Sequence, residues 1–335
     1  MTDFYSLLEH DGPVAIVVKE RLRPVGGADS PVFPPTYAGV DGYCIDQLRD
    51  GHNRCVLDSV QSQANRIEPQ FMEEPYRALV PQIMVKAGDV TFNVLEMAHR
   101  LADASARFSS LSDRIDAAFE ALADIRNAVP IAKLSPLSLI LGVWDSRGSG
   151  VKVQRALGSM VYADDVTPLT SHAQFVPSFS AENVDDLEKL KKEIEKKSSV
   201  IGLAHVPSSG RGGVLVRGSI VRDSALNLIV IRQLHGTNEG ETQRLRVYLL
   251  SLSLVALTLP QDYNLRSGCQ LVRDGADAIE MKLVQRDGSE TSFSVQREQA
   301  LAFAAECASA FGVDTDPAVF DFDIEKAKQY LKKKD

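Results

Sequence analysis

The chain has 335 residues, of which 44% are hydrophobic and 24% charged, the make-up of a globular protein with room for one large domain or two ordinary ones. A net charge of −8 argues against attraction of nucleic acid by overall charge, and no uncharged apolar run reaches the length of a membrane helix. The N-terminus lacks a basic stretch followed by an apolar core, so no secretory signal and no membrane are expected, and a cytoplasmic protein is.

Cys44, Cys55, Cys269 and Cys307 form no C-x-x-C pair, and the histidines are scattered, so neither a zinc framework nor a disulfide scaffold is expected, and no metal or cofactor. The basic residues are unevenly spread. Ten of the lysines fall in 189–197 and 326–334, leaving five elsewhere against 22 arginines. Arginine is the better bidentate ligand for phosphate, and lysine the commoner solubilising charge, although a bias in composition also accounts for the ratio.

Taken in order, 13–24 opens as a buried strand with a β-branched run, and Arg21 and Arg23 then share one face of the extended chain. A loop rich in Gly and Pro follows over 25–39, with Phe33 and Tyr37 among the breakers. Residues 54–67 predict an amphipathic helix: Val56, Leu57, Val60, Ala64 and Ile67 make the apolar stripe. The opposite face carries Ser59, Ser62, Asn65, Arg66 and Asp58 rather than the usual Glu and Lys. Such a face serves either to bond neighbouring loops or to donate to phosphate and sugar oxygens.

The stretch 76–130 reads as a helical hairpin, with 3.6-type spacing over 92–108 and 111–129. Residues 137–144 read as a second buried strand. It leads into a glycine-rich loop that presents Arg147, Lys152 and Arg155 on flexible backbone. The loop's spacing fits neither a Walker A loop nor a dinucleotide fingerprint. A highly charged helix is expected over 182–197, then an antiparallel meander of strands over 199–205, 213–222 and 225–232. Arg211 would sit at the tip of its first connection and Arg222 at the second; Arg217 lies between. A helix over 242–257, a strand over 269–273, a hairpin over 279–296 with an Asp-Gly turn, a helix over 297–311 and a short C-terminal helix within 320–335 complete the chain.

No catalytic constellation is present: there is no G-x-S-x-G elbow and no H-E-x-x-H, and the acids nearest the basic loop, Asp145, Asp164 and Asp165, have no partner fixed by spacing. An antiparallel sheet with helices on one side is the layout of ferredoxin-like and RNA-recognition folds. The sheet-face aromatics that stack bases in such folds are missing.

Several blocks carry a family resemblance. They are Arg21-Leu-Arg-Pro-Val-Gly-Gly27, Val32 to Gly39, Cys55 to Glu68, Gly142-Val-Trp-Asp-Ser146 and Gln154-Arg-Ala-Leu-Gly-Ser159. Over nearly the whole chain the sequence resembles the CRISPR-associated RAMP backbone subunit, the Cas-seven type, of the type I-U (I-G) Cascade. The loop 147–152 is shorter and poorer in Gly and Lys than that family's pattern.

The resemblance implies an α+β fold: a modified RNA-recognition (ferredoxin-like) palm from 1–75, 131–180 and 199–320. It would carry helical finger-like and thumb-like insertions, the finger-like one over 76–130, with the charged helix of 181–198 on a protruding element and a C-terminal helix over 321–335. It implies a subunit that polymerises along CRISPR RNA (crRNA), presents its bases to target DNA, and does not cut. Its partners would be further copies of itself, a RAMP subunit at the RNA end, a processing endonuclease and a recruited helicase-nuclease. The expected phosphate contacts are Arg21, Arg23, Arg54, Arg66, Arg147, Lys152 and Arg155. Ser59, Ser62, Gln63 and Asn65 would donate to phosphate or ribose, and Arg211, Arg217 and Arg222 would add contacts from the meander. Two alternatives stay open: a metal-independent ribonuclease of the same superfamily, and a subunit that assembles through protein contacts alone.

Overall fold

The computed structural model describes residues 3–175 and 206–332. The charged helix expected over 182–197 and the strand expected over 199–205 lie outside the described residues.

β1 (Ala15–Pro24) is central. Ile16, Val18, Glu20 and Leu22 point inward and Lys19, Arg21 and Arg23 outward, the alternation a pleated strand imposes. β2 (Ile45–Gln47) and β3 (Asn53–Asp58) pair antiparallel, and only then does α1 (Val60–Ile67) begin. The helix expected over 54–67 is therefore half strand. The apolar run Cys55–Leu57 is short enough to fit either period, and pairing of Arg54, Cys55, Val56 and Asp58 with β-structure at 161–164 decides it. Ser59 ends the strand by accepting the Ser62 N–H, a helix cap.

The segment 76–130 is not a helical hairpin. β4 (Ile83–Ala87) and β5 (Val90–Asn93) form a β-hairpin, 94–102 holds 3-10 turns, and α2 (Ala104–Arg107) is a single turn. Only α3 (Ser112–Ile125) is a substantial helix. Val85, Leu101, Ile115 and Phe119 are buried in the main core.

After α4 (Val129–Leu134), the apolar run expected as a strand is α5 (Pro136–Leu141), buried at every residue. Such a run suits a buried helix as well as a strand, and Pro136 at its first turn presets helical φ. Strand resumes at β6 (Val143–Trp144), paired with β7 (Lys152–Val153), before β8 (Leu157–Asp164) re-enters the main sheet.

β9 (Val166–Phe175) and β10 (Val206–Val216) pair as a two-stranded arm. Arg211 sits within β10 opposite Thr170, not at a turn. β11 (Ile220–Asn227) runs unbroken through Arg222-Asp223-Ser224; of the third expected strand, 225–227 belongs to β11 and the rest is α6 (Leu228–Arg232). The Asn227 carboxamide accepts the Ile229 and Val230 N–H groups and so switches the chain to helix.

The C-terminal part follows expectation more closely. α7 (Glu239–Thr258) is followed by β12 (Asn264–Arg266), β13 (Cys269–Arg273), and the hairpin of β14 (Ile279–Val284) and β15 (Glu290–Ser292). α8 (Arg297–Phe311) starts and stops where the sequence places it. β16 (Ala318–Asp321) runs parallel to β4, and α9 (Ile324–Lys332) closes the described chain.

The main sheet runs β12-β13-β1-β11-β8-β3-β2, with β14 also on β1. Its heart, β13/β14-β1-β11-β8, is antiparallel throughout. The chain visits these strands in the order β1, helices, β8, β11, α7, β13/β14. That is the split β-α-β arrangement of ferredoxin-like and RNA-recognition folds, with β3 and β2 added beyond β8. α7 is buried on nearly every side, and Tyr248 stacks on Phe311 of α8 at 4.6 Å. No described helix is long and apolar enough to cross a membrane.

The covered face of the sheet holds two apolar clusters. Ile16, Val18, Leu157 and Leu226 join the large helical core, while Leu22, Val161, Ile220 and Leu57 form a smaller one. Between them runs a polar belt. Glu20 accepts from Arg222, Arg273 and Tyr263. One strand over, the Ser224 hydroxyl donates to Ser159, Ser159 to Gln63 Oε1, and Gln63 Nε2 to Asp58.

Candidate nucleic-acid interface

The belt absorbs much of the helix face that the sequence singles out. Asp58 is fully buried at the end of β3 and accepts from Ser62 Oγ (2.7 Å), Gln63 Nε2 (2.7 Å), Arg66 Nε (3.0 Å) and Arg266 (3.3 Å). Arg66 also donates to the Leu265 carbonyl, and Ser59 caps the helix. Gln63 and Arg222 were expected to reach RNA, but both are enclosed and spent on internal partners, since a buried polar group must be paired. In the part that is helical, Ser62, Gln63 and Arg66 turn toward this buried carboxylate while Asn65 stays exposed.

The remaining predicted residues separate. Arg21 donates to the Asp277 carbonyl, and Arg23 lies 3.8 Å from Asp274. Arg54 forms a two-pronged pair with Asp164, and its guanidinium carbon lies over the Tyr162 ring, 3.7 Å from its centroid. Arg211 and Arg217 are exposed near Asp41 and Asp29, pairs that contribute little in water.

Three predicted cations do come together, in a groove of about 430 Å³ beside the N-terminal turns of α1. Its walls are Gln61 of α1, the turn Ala98-His99-Arg100, the end of α5 with Gly142, the β6–β7 ribbon with Trp144, and Arg147, Lys152 and Arg155. Arg155 is held in place: Nε donates to the Leu141 carbonyl at 2.9 Å and Nη2 to Gln61 Oε1 at 3.4 Å. The guanidinium keeps donors to spare, having five N–H groups. Asn65 borders the site by accepting from Gln61 at 3.0 Å.

The loop carrying Arg147 was expected to be flexible, and the structure pins it. Asp145 is buried, with Oδ2 accepting the Ser149 N–H and hydroxyl at 2.8 and 2.9 Å and Oδ1 3.3 Å from Arg107 Nε. The Asp145 N–H donates to the Val151 carbonyl and the Gly150 N–H to the Asp145 carbonyl. A Cβ at Gly148 would collide with Arg107, itself bound to Asp116 at 2.7 Å.

Behind the groove lies a buried ion pair, Arg100 Nε to Glu68 Oε1 at 2.7 Å, and Arg100 also donates to the Gly142 carbonyl at 3.1 Å. Burial pushes the Glu68 carboxyl up to about 7, against the pull of Arg100 and Arg155. Burial also lowers Arg155 somewhat, with Arg100 adding to the effect. No carboxylate is among the residues that line the groove, so its lining is cationic although the chain as a whole is acidic.

Sequence reasoning passed over Arg100, Glu68, His99 and the display of Trp144. Arg100 follows Leu95-Glu-Met-Ala-His, which reads as helix, whereas it adopts φ 54° in a tight turn. Trp144 had a signal: a lone tryptophan immediately before the basic loop.

Residues 16–168, a little under half of the chain, match the family described as CRISPR-associated protein GSU0053, and this stretch contains every residue that lines the groove. No curated protein matches the chain. Among solved structures it is similar to Csc2 of Thermofilum pendens (12% identity, TM-score 0.31, covering 87% of this chain and 70% of that one). It is also similar to Csm3 of Methanopyrus kandleri (10% identity, TM-score 0.29, covering 84% and 78%). At such scores the fold assignment rests on the strand order itself.

Proposed function

We propose that this chain is a crRNA-binding backbone subunit of a CRISPR effector complex, of the type I-U (I-G) Cascade, that holds RNA without cutting it. The observation that carries the reading is the groove: Arg147, Lys152 and Arg155 converge on one cleft with no lining carboxylate, inside the stretch that matches a CRISPR-associated family. Phosphates are the ligand such a cluster favours. Copies would line up along the spacer of one RNA and present its bases to target DNA, beside an RNA-end RAMP subunit, a processing endonuclease and a helicase-nuclease that joins later. The exposed pairs at Arg211 and Arg217 are available for contacts between copies.

The test is a salt titration of binding to single-stranded repeat-spacer RNA. If three cations neutralise phosphates, log K falls against log salt with a slope of roughly −2, and Arg155→Ala reduces that slope by about 0.7. Binding that ignores salt and survives Arg155→Ala would sink the proposal. His99 in the groove gives the ribonuclease alternative a foothold. Intact RNA recovered after incubation supports a holding role, while cleavage that disappears in His99→Ala would replace it.

A further inference from the structure

Trp144 is the only tryptophan in the chain, and it is 60% exposed. An indole is among the most apolar side chains and is usually well covered, so a displayed one needs a reason. It is not displayed on loose chain. β6 pairs Trp144 with Lys152 on β7, and the loop joining them is tied down by Asp145. The ring is therefore offered on a fixed ribbon at the wall of the groove.

Its neighbourhood selects the class of partner. Lys152 Nζ lies 6.0 Å from the ring centroid, and Arg147 and Arg155 line the same cleft. An apolar protein partner would have to bury those cations against no lining acid, at a large desolvation cost. A chain that alternates anionic groups with flat aromatic ones meets both demands at once. Paired bases in a duplex hide their faces; single-stranded ones do not.

We propose that Trp144 is a stacking platform for one unpaired base of the RNA whose phosphates the groove holds. The inference rests on the RNA-binding reading and deepens it. Any base has a π-face, so the contact adds affinity without reading sequence. The expected subunit grips only a backbone; this one also fixes the stagger of a base against β6.

Because Trp144 is the sole tryptophan, its emission reports this contact alone. Full-length protein is titrated with fluorescently labelled single-stranded oligouridylate and oligoadenylate RNA, following label anisotropy and, in parallel with unlabelled RNA, tryptophan emission. We expect emission to be quenched with the same midpoint as the anisotropy rise. Trp144→Ala should weaken binding about tenfold, and Trp144→Phe by much less. A chain of the same length with abasic sugars should bind without quenching and should not distinguish Trp144→Ala from wild type. The substituted residue is exposed, and an unchanged melting temperature confirms that the variant is folded.

An anisotropy rise with no quenching and an unaltered midpoint in Trp144→Ala overturns the stacking and leaves RNA binding standing. Absence of any anisotropy rise overturns RNA binding, and the stacking with it. A concentration-dependent blue shift without RNA means a second copy covers the indole, and also overturns the proposal.

Discussion

Asp58 is wholly enclosed, yet it is the residue on which the polar side of α1 depends. Removing one member of a buried charge cluster strands the others. Asp58→Ala should cost about 3 kcal/mol, moderated because Arg66 and Arg266 can still reach water. Asp58→Asn should recover part of it. Chemical denaturation with a constant slope measures both. By the same reasoning Arg66→Ala should lower the denaturation midpoint and leave RNA affinity nearly unchanged. Glu68 makes a second prediction. Its carboxyl is raised from 4.5 to about 7, so the folded state keeps a proton that the unfolded chain releases. The stability this contributes is complete below 4.5 and is lost as pH rises through 7. Wild type should therefore lose up to about 3 kcal/mol relative to Glu68→Gln over that window, as read by denaturation at a series of pH values. A parallel pH profile in the two proteins would refute the assignment. His99→Gln in both backgrounds keeps the groove's histidine out of the comparison.

Elements were legible where one period dominated for long enough. β1 and α8 appear at the expected places because their patterns run for 10 and 15 residues, and the Asp287-Gly288 turn marked the β14–β15 hairpin. Short apolar runs were not legible. Cys55–Leu57 and Leu137–Leu141 fit a strand and a helix alike; a partner distant in sequence settled the first and Pro136 in the first turn the second, as local caps do elsewhere. Ser59 and Asn227 are such caps, visible in the sequence but usable only once a neighbour is known. The candidate site was half legible for the same reason: Arg147, Lys152 and Arg155 lie within nine positions of one another, while Gln61, His99 and Arg100 are brought in by folding. Gly142 shows how tightly the groove is joined. It links α5 to β6 with φ 83° and ψ 148°, a conformation nearly reserved for glycine, and a Cβ there would lie 3.3 Å from the Arg155 backbone. Gly142→Ala should cost about 1–3 kcal/mol and also displace Arg155. We expect a lowered melting temperature together with weaker RNA binding, whereas Arg155→Ala should weaken binding alone.

At the scale of the molecule, the strand order β13/β14-β1-β11-β8 joins residues more than two hundred positions apart. Composition and periodicity could suggest an antiparallel sheet with helices on one side, but not which strand lies beside which. Net charge behaves in the same way: −8 describes the sum, while the groove is a local exception to it. The polar belt across the sheet acquires a use in this light. Apolar positions that recur every second residue would tolerate a strand sliding by two: β1 slid one way on β11 would set Ile16 against Leu228 and Val18 against Leu226. Glu20 would not. Slid by two, it would lose Arg222, its partner directly across β11, and leave a buried carboxylate with only the half-exposed Arg273 to oppose its charge. The belt thus works as an index mark: the hydrophobic clusters supply cohesion, and the charges between them say which of several nearly equivalent alignments is the protein.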